Sequence, residues 1–159
     1  MPGGSGDPAH DGPPGISPGG PFFYHRGVPW NERSPEFAEF WTERHLCVLS
    51  TVRADGTVHA TPVGATLDLE AGIARVICSG SSHKARTIRN AGADGAAVAV
   101  TQVDGRRWST LEGRAVVSDD PARVQDAVRR YAKRYREPRE NPQRVVVEIT
   151  VTKVLGNAG

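Results

Sequence analysis

Residues 78–86, Cys-Ser-Gly-Ser-Ser-His-Lys-Ala-Arg, put hydroxyls, a glycine and a lysine where an apolar run gives way to helical spacing. Ser79, Gly80 and Ser82 at a helix start form a cradle in which hydroxyls and exposed backbone N–H groups point at an anion. A cation in the first helical turn opposes the macrodipole, so Lys84 is best explained by an anion lying between. The same residues also read as a plain serine N-cap followed by solvated cations. A second segment, His59, Ala60, Thr61, Pro62, Val63 and Gly64, consists mostly of small side chains. It forms either a shelf on which a flat ring can lie or a bulge at a sheet edge.

Two further groups carry charge. Arg107, Trp108 and Arg114 fall on one apolar segment with Glu112; they suit a pocket wall, or a packed aromatic beside an intrachain ion pair. Residues 121–144 hold eight basic and three acidic side chains, net +5 against +2 for the whole chain. Such asymmetry points to an anionic partner, or to the solvated face of an amphipathic helix with Arg123, Arg130 and Arg134 off its apolar stripe.

Other chemistries lack their residues. Cys47 and Cys78 lie inside apolar runs, and neither they nor the five histidines show a metal-ligand spacing. No nucleophile stands out, and neither GxGxxG nor a Walker motif is present. No apolar run reaches membrane-spanning length and the first residues do not form a secretory signal, so a cytoplasmic protein without a membrane role is expected.

The positioning elements follow from turn chemistry and periodicity. Of 30 Gly and Pro residues, 16 fall in the first 35 positions, so residues 1–33 read as a disordered leader and 34–159 as one domain. The leader's aromatic patch, Phe22, Phe23, Tyr24 and Trp30, reads as a strap on the domain or as tail. Ser34 and Pro35 open a short helix reaching about Arg44, with Phe37, Phe40 and Trp41 inward. Six strands are expected, over 46–52, 57–68, 73–80, 96–103, 106–118 and 144–156, with helices from Ser82 and Asp120. Strands joined by short turns, with few helices, predict a mainly β, six-stranded antiparallel barrel with flanking helices.

The runs HLCVLSTVRADGTVHATPVGATLD, IARVICSGSSHKAR, TQVDGRRWSTLEGRAVVS and RYAKRYREPRENPQRVVVEITVTKVLG resemble the actinobacterial flavin/deazaflavin oxidoreductases of the PPOX class. The likeness runs over about 36–156 and is strongest to the coenzyme F420-dependent biliverdin reductases. It implies an FMN-binding split barrel and a homodimer with the cofactor in a groove between protomers. On the same basis His59 to Val63 would line the deazaflavin ring, Ser79, Gly80, Ser82 and Lys84 would hold a phosphate, and Arg107, Trp108 and Arg114 would border the groove. F420 is the implied cofactor, with FMN the alternative on the same fold. A small anionic acceptor such as biliverdin is the implied substrate, and a basic barrel binding nucleic acid is the remote alternative.

Overall fold

The computed structural model describes residues 33–159 and, as backbone alone, residues 23–25. Eight strands form one antiparallel sheet: β1 (Phe23–His25), β2 (Cys47–Val52), β3 (Val58–Val63), β4 (Ala65–Asp68), β5 (Ile73–Ser79), β6 (Ala96–Asp104), β7 (Arg107–Ser118) and β8 (Arg144–Gly156). Three helices accompany them: α1 (Pro35–Thr42), α2 (His83–Asn90) and α3 (Pro121–Arg134).

The sheet order is β3-β2-β6-β7-β8-β5-β4, with β1 on β8. β3 and β4 follow one another in the chain yet end opposite sides of this path, so the sheet curls until its two edges meet. That is the expected barrel, but with eight strands instead of six. The run 57–68 bends at Gly64 into two strands, and Phe23–His25 pairs with Val154–Gly156. Residues 1–22 and 26–32, including Phe22 and Trp30 of the aromatic patch, lie outside the described residues.

Alternation on each strand sorts the faces. Cys47, Leu49 and Thr51 of β2 point into the barrel while Val48 and Val52 point out. Phe40, Leu49, Ile88, Leu111 and Ile149 are fully buried, each contributing about 1.5–3 kcal/mol by leaving water. Between Glu112 and Gly113 the β7–β8 register slips. A Cβ on Gly113 would stand 2.1 Å from the Thr150 carbonyl oxygen, so only glycine allows β8 this close.

Caps set the helix ends. Ser34 Oγ accepts from Phe37 N at 3.1 Å, and Asp120 Oδ2 from Arg123 N at 3.1 Å. α1 stops at Thr42, two residues before the expected end. Glu43 there is extended, with ψ 149°, and its carbonyl accepts from Arg134 Nε at 2.8 Å.

Arg134 is the clearest departure from expectation. It lies off the apolar stripe, yet it is buried, with Nη2 on Gln102 Oε1 at 2.7 Å and the guanidinium 5.4 Å from the Trp41 ring centre. Arg130 and Arg123 are also engaged within the chain, with Asp68 at 3.2 Å and Glu148 at 3.1 Å. The basic face of α3 is therefore largely a set of internal ion pairs, because β4, β5 and β8 bring Asp68, Arg75 and Glu148 beneath it.

Candidate active site at the barrel seam

The seam arises from incomplete pairing. β3 pairs with β2 on one side only. β4 pairs with β5 from Asp68↔Ile73 to Ala65↔Val76, beyond which Ile77–Ser79 pair with β8 alone. The free edges of β3 and the end of β5 thus flank an opening. Pro62, which lacks a backbone donor, sits on such an edge as its chemistry requires.

A cavity of about 290 Å³ occupies this place, lined by Pro62, Val63 and Gly64 on one side and Ile77 and Cys78 on the other. Lys84 and Arg144 bring charge to it, Tyr131 of α3 closes one wall, and no carboxylate lines it.

The turn before α2 is built as a serine cap. Ser82 Oγ accepts from Ala85 N at 3.3 Å, and Ser82 N donates to the Ser79 carbonyl at 3.0 Å. Gly80 N donates to the Gln143 carbonyl at 2.8 Å, tying the turn to the start of β8. The hydroxyls of Ser79 and Ser81 lie 3.1 Å apart at the surface. Ser82 is the N-cap of the plain reading, and Lys84 of the same turn lines the cavity, while the Gly80 and Ser82 N–H groups expected to face an anion are bonded within the chain.

His59 and His83 meet edge to face with ring centres 4.6 Å apart, and Arg53 Nε donates to His83 Nε2 at 3.2 Å. His59 Nδ1 is shut off from solvent without a hydrogen-bond partner among the described residues. Its desolvation, then the charges of His83, Arg53 and Lys84, hold the imidazole below its usual pKa. Arg53 and His83 were not singled out from sequence. Arg53 reads as a turn residue, and its approach to α2 depends on barrel curvature.

The remaining predicted residues lie elsewhere. Ala60 is exposed and Thr61 half-buried on β3, opposite Ser50 and Leu49. Arg107 binds Glu43 Oε2 at 3.0 Å and Asp104 Oδ2 at 2.5 Å and stacks over Phe40, while half-buried Trp108 donates its backbone N–H to Asn157 Oδ1 at 2.9 Å. Arg114 holds the carbonyls of Asp94 and Gly95, each at 3.1 Å, and pairs with no acid among the described residues; Glu112 instead meets Lys153. Within one chain Arg107, Trp108 and Arg114 do not line the seam cavity. Arg114 borders a separate hollow of about 520 Å³ on the outer face of β2, β3, β6 and β7.

Residues 34–158 match the family described as Pyridoxamine 5'-phosphate oxidase. The chain belongs to this pyridoxamine 5'-phosphate oxidase family. Within it, the chain is 51% identical over 125 residues to the F420H(2)-dependent biliverdin reductase of Mycobacterium tuberculosis, covering 79% of this chain and 88% of that protein. A conserved hypothetical protein of the same organism superposes with a TM-score of 0.65 at 22% identity, over 79% of this chain and 86% of the other. An F420 reductase gives 0.58 at 23%, over 76% and 96%. These solved structures share the family's barrel. Among the described residues no helix is long and apolar enough to cross a membrane.

Proposed function

We propose that this protein is an F420H2-dependent oxidoreductase that reduces a conjugated acceptor, with biliverdin as the acceptor class. The observation that carries the reading is the 51% identity, over most of both chains, to a reductase of that activity. The seam fits such a cofactor on its own chemistry: an acid-free cavity holding Lys84 and Arg144, beside the Ser79 and Ser81 hydroxyls. When bound, reduced F420 supplies a hydride from a carbon of its deazaflavin ring.

This chain's own residues have four tasks. Lys84, with the hydroxyls of Ser79 and Ser82, holds the phosphate, and Gly80, whose N–H is bonded to the Gln143 carbonyl, fixes the turn beside it. His59 to Val63 carry the ring, Pro62 and Val63 from the cavity wall itself, and the lack of bulk at Ala60 leaves room beside them. Tyr131 closes the α3 side and keeps water from the ring edge. The Arg53 and Lys84 cations beside the His59–His83 pair stabilise negative charge held near them. No side-chain nucleophile is required, because positioning two flat partners face to face does most of the work.

The homodimer belongs to the same proposal. Val52, Val58 and Val103 are 52%, 63% and 62% exposed on the outer face of β2, β3 and β6. Val52 and Val58 line the 520 Å³ hollow that Arg114 borders, and Val103 lies further along β6 opposite Trp108; this outer face suits a second copy, which would bring Arg107, Trp108 and Arg114 toward a shared groove. A cytoplasmic setting suits a reductase in which no helix among the described residues is long and apolar enough to cross a membrane.

Fluorescence titration with F420 and, separately, with FMN tests the cofactor: tight F420 binding supports the reading, and binding of FMN alone favours the family's flavin chemistry instead. Sedimentation at micromolar concentration should show a species of twice the 17.1 kDa chain mass.

A further inference from the structure

Many arginines of this domain are already engaged. Arg75 meets Asp68 and Glu148, each at 3.6 Å, Arg107 meets Glu43, Arg130 meets Asp68, and Arg134 is wrapped in acceptors. Arg44 and Arg136 are different: neither has an ion pair or side-chain hydrogen bond among the described residues, yet both line one cavity of about 370 Å³. Leu46, Gly64, Tyr131 and Tyr135 complete its walls, and no carboxylate does.

The two cations are held together by their neighbours. Arg134 Nε bonds the Glu43 carbonyl at 2.8 Å, and Tyr135 Oη donates to the His45 carbonyl at 2.7 Å. These bonds clamp the segment carrying Arg44 onto the end of α3, from which Arg136 projects. Burial pushes the Tyr135 phenol above its usual range, so it stays protonated and keeps the clamp. Arg44 and Arg136 are both exposed, with no carboxylate in the cavity they line, so an anion seated there meets two cations. Gly64 and Tyr131 are common to this cavity and the seam cavity, so a ligand on the Pro62–Gly64 shelf can pass a side arm around Tyr131 to the arginines.

We propose that this cavity is a carboxylate subsite: Arg44 and Arg136 receive a carboxylate arm of a flat conjugated ligand seated in the seam, with Leu46 and Tyr131 as its apolar walls. The inference rests on the oxidoreductase reading above. The arm comes either from the acceptor, as a propionate does in biliverdin, or from the carboxylate tail of the cofactor. In both cases a planar guanidinium suits a carboxylate better than a point charge does.

The test is equilibrium binding to the full chain, read by quenching of its three tryptophans, for wild type, the R44Q/R136Q double variant and the R44K/R136K variant. The ligands are biliverdin, biliverdin dimethyl ester and F420, and thermal melts confirm that the variants fold. The acceptor source predicts that biliverdin binds the Gln variant at least about tenfold more weakly, the loss of one charge-assisted hydrogen bond, while the ester and F420 bind as to wild type. The cofactor source predicts the same loss for F420 alone. In either case the Lys variant recovers part of the affinity. Losses below about twofold for both ligands, or an equal loss for ester and acid, overturn the subsite while wild-type binding leaves the oxidoreductase reading standing. Failure of wild type to bind either ligand sinks both.

Discussion

Gly64 lies directly beneath Tyr131: a Cβ built on the glycine would stand 2.6 Å from Tyr131 Cε2 and 3.2 Å from Tyr135 Cε2. The two tyrosine rings, 5.0 Å apart, thus rest on bare backbone at the corner where β3 becomes β4, and this contact forms the wall shared by the two cavities. Gly64→Ala forces the rings outward. The expected cost is about 1–3 kcal/mol of stability, the range for overpacking, together with weakened cofactor binding. Thermal melting and F420 titration of the same variant check both, and an unchanged pair of values contradicts the packing described.

Arg134 joins the α1–β2 connection, β4 and β6 through the Glu43 carbonyl, the Ala65 carbonyl and Gln102 Oε1. Replacement by Met keeps much of the apolar stem but removes three hydrogen bonds from a charged donor, leaving the Glu43 carbonyl without its side-chain partner while the Ala65 carbonyl and Gln102 Oε1 keep Tyr135 and Cys47. Stability should fall by about 3 kcal/mol, lowering Tm by roughly 10 °C. Urea melts give the value, and a loss below about 1 kcal/mol would mean that water satisfies the acceptors as well as Arg134 does.

These two sites mark what was legible in the sequence. The caps at Ser34, Ser82 and Asp120, the hairpin at Asp104-Gly105 and the strand runs are local, so residue chemistry a few positions apart specifies them. The edge role of Pro62 was readable for the same reason: a missing N–H rules out pairing on both sides. Arg134 was not readable, since its acceptors are 91, 69 and 32 residues away, and only curvature of the sheet brings them under α3. The division of 57–68 at Gly64 was half legible. A glycine after Val63 permits a bend, but Tyr131 and the closure of the barrel decide that one occurs. Likewise the Ser-Lys turn was visible from residue types, whereas its neighbours Arg53 and His83 join only through the fold.

His59 gives a pH prediction with a definite sign. Its imidazole is held below the usual value near 6.5, so the unfolded chain takes up this proton at higher pH than the folded one. The stabilising contribution is complete above about pH 6.5 and declines as pH falls from there through the folded-state pKa. Melting curves between pH 7.5 and about 5 should show a steeper loss of Tm for wild type than for His59→Gln. Parallel profiles would remove His59 as the source.

Lys84→Ala should weaken F420 binding by about 1.5–3 kcal/mol, the range for a hydrogen bond from a charged donor. Fold stability should change little, because Lys84 makes no ion pair or side-chain hydrogen bond among the described residues. Titration followed by cofactor fluorescence, with a melt as control, measures the two effects separately. Wild-type affinity in this variant would place the phosphate elsewhere.

Hydride delivery from reduced F420, seated in the seam, to a conjugated acceptor is the proposed reaction. Its most direct test follows the visible absorbance of biliverdin mixed anaerobically with the purified protein and F420H2, beside identical mixtures containing NADPH or reduced FMN. Loss of the biliverdin band and appearance of bilirubin with F420H2 alone is the expected result. Turnover with NADPH or reduced FMN but none with F420H2 would contradict it.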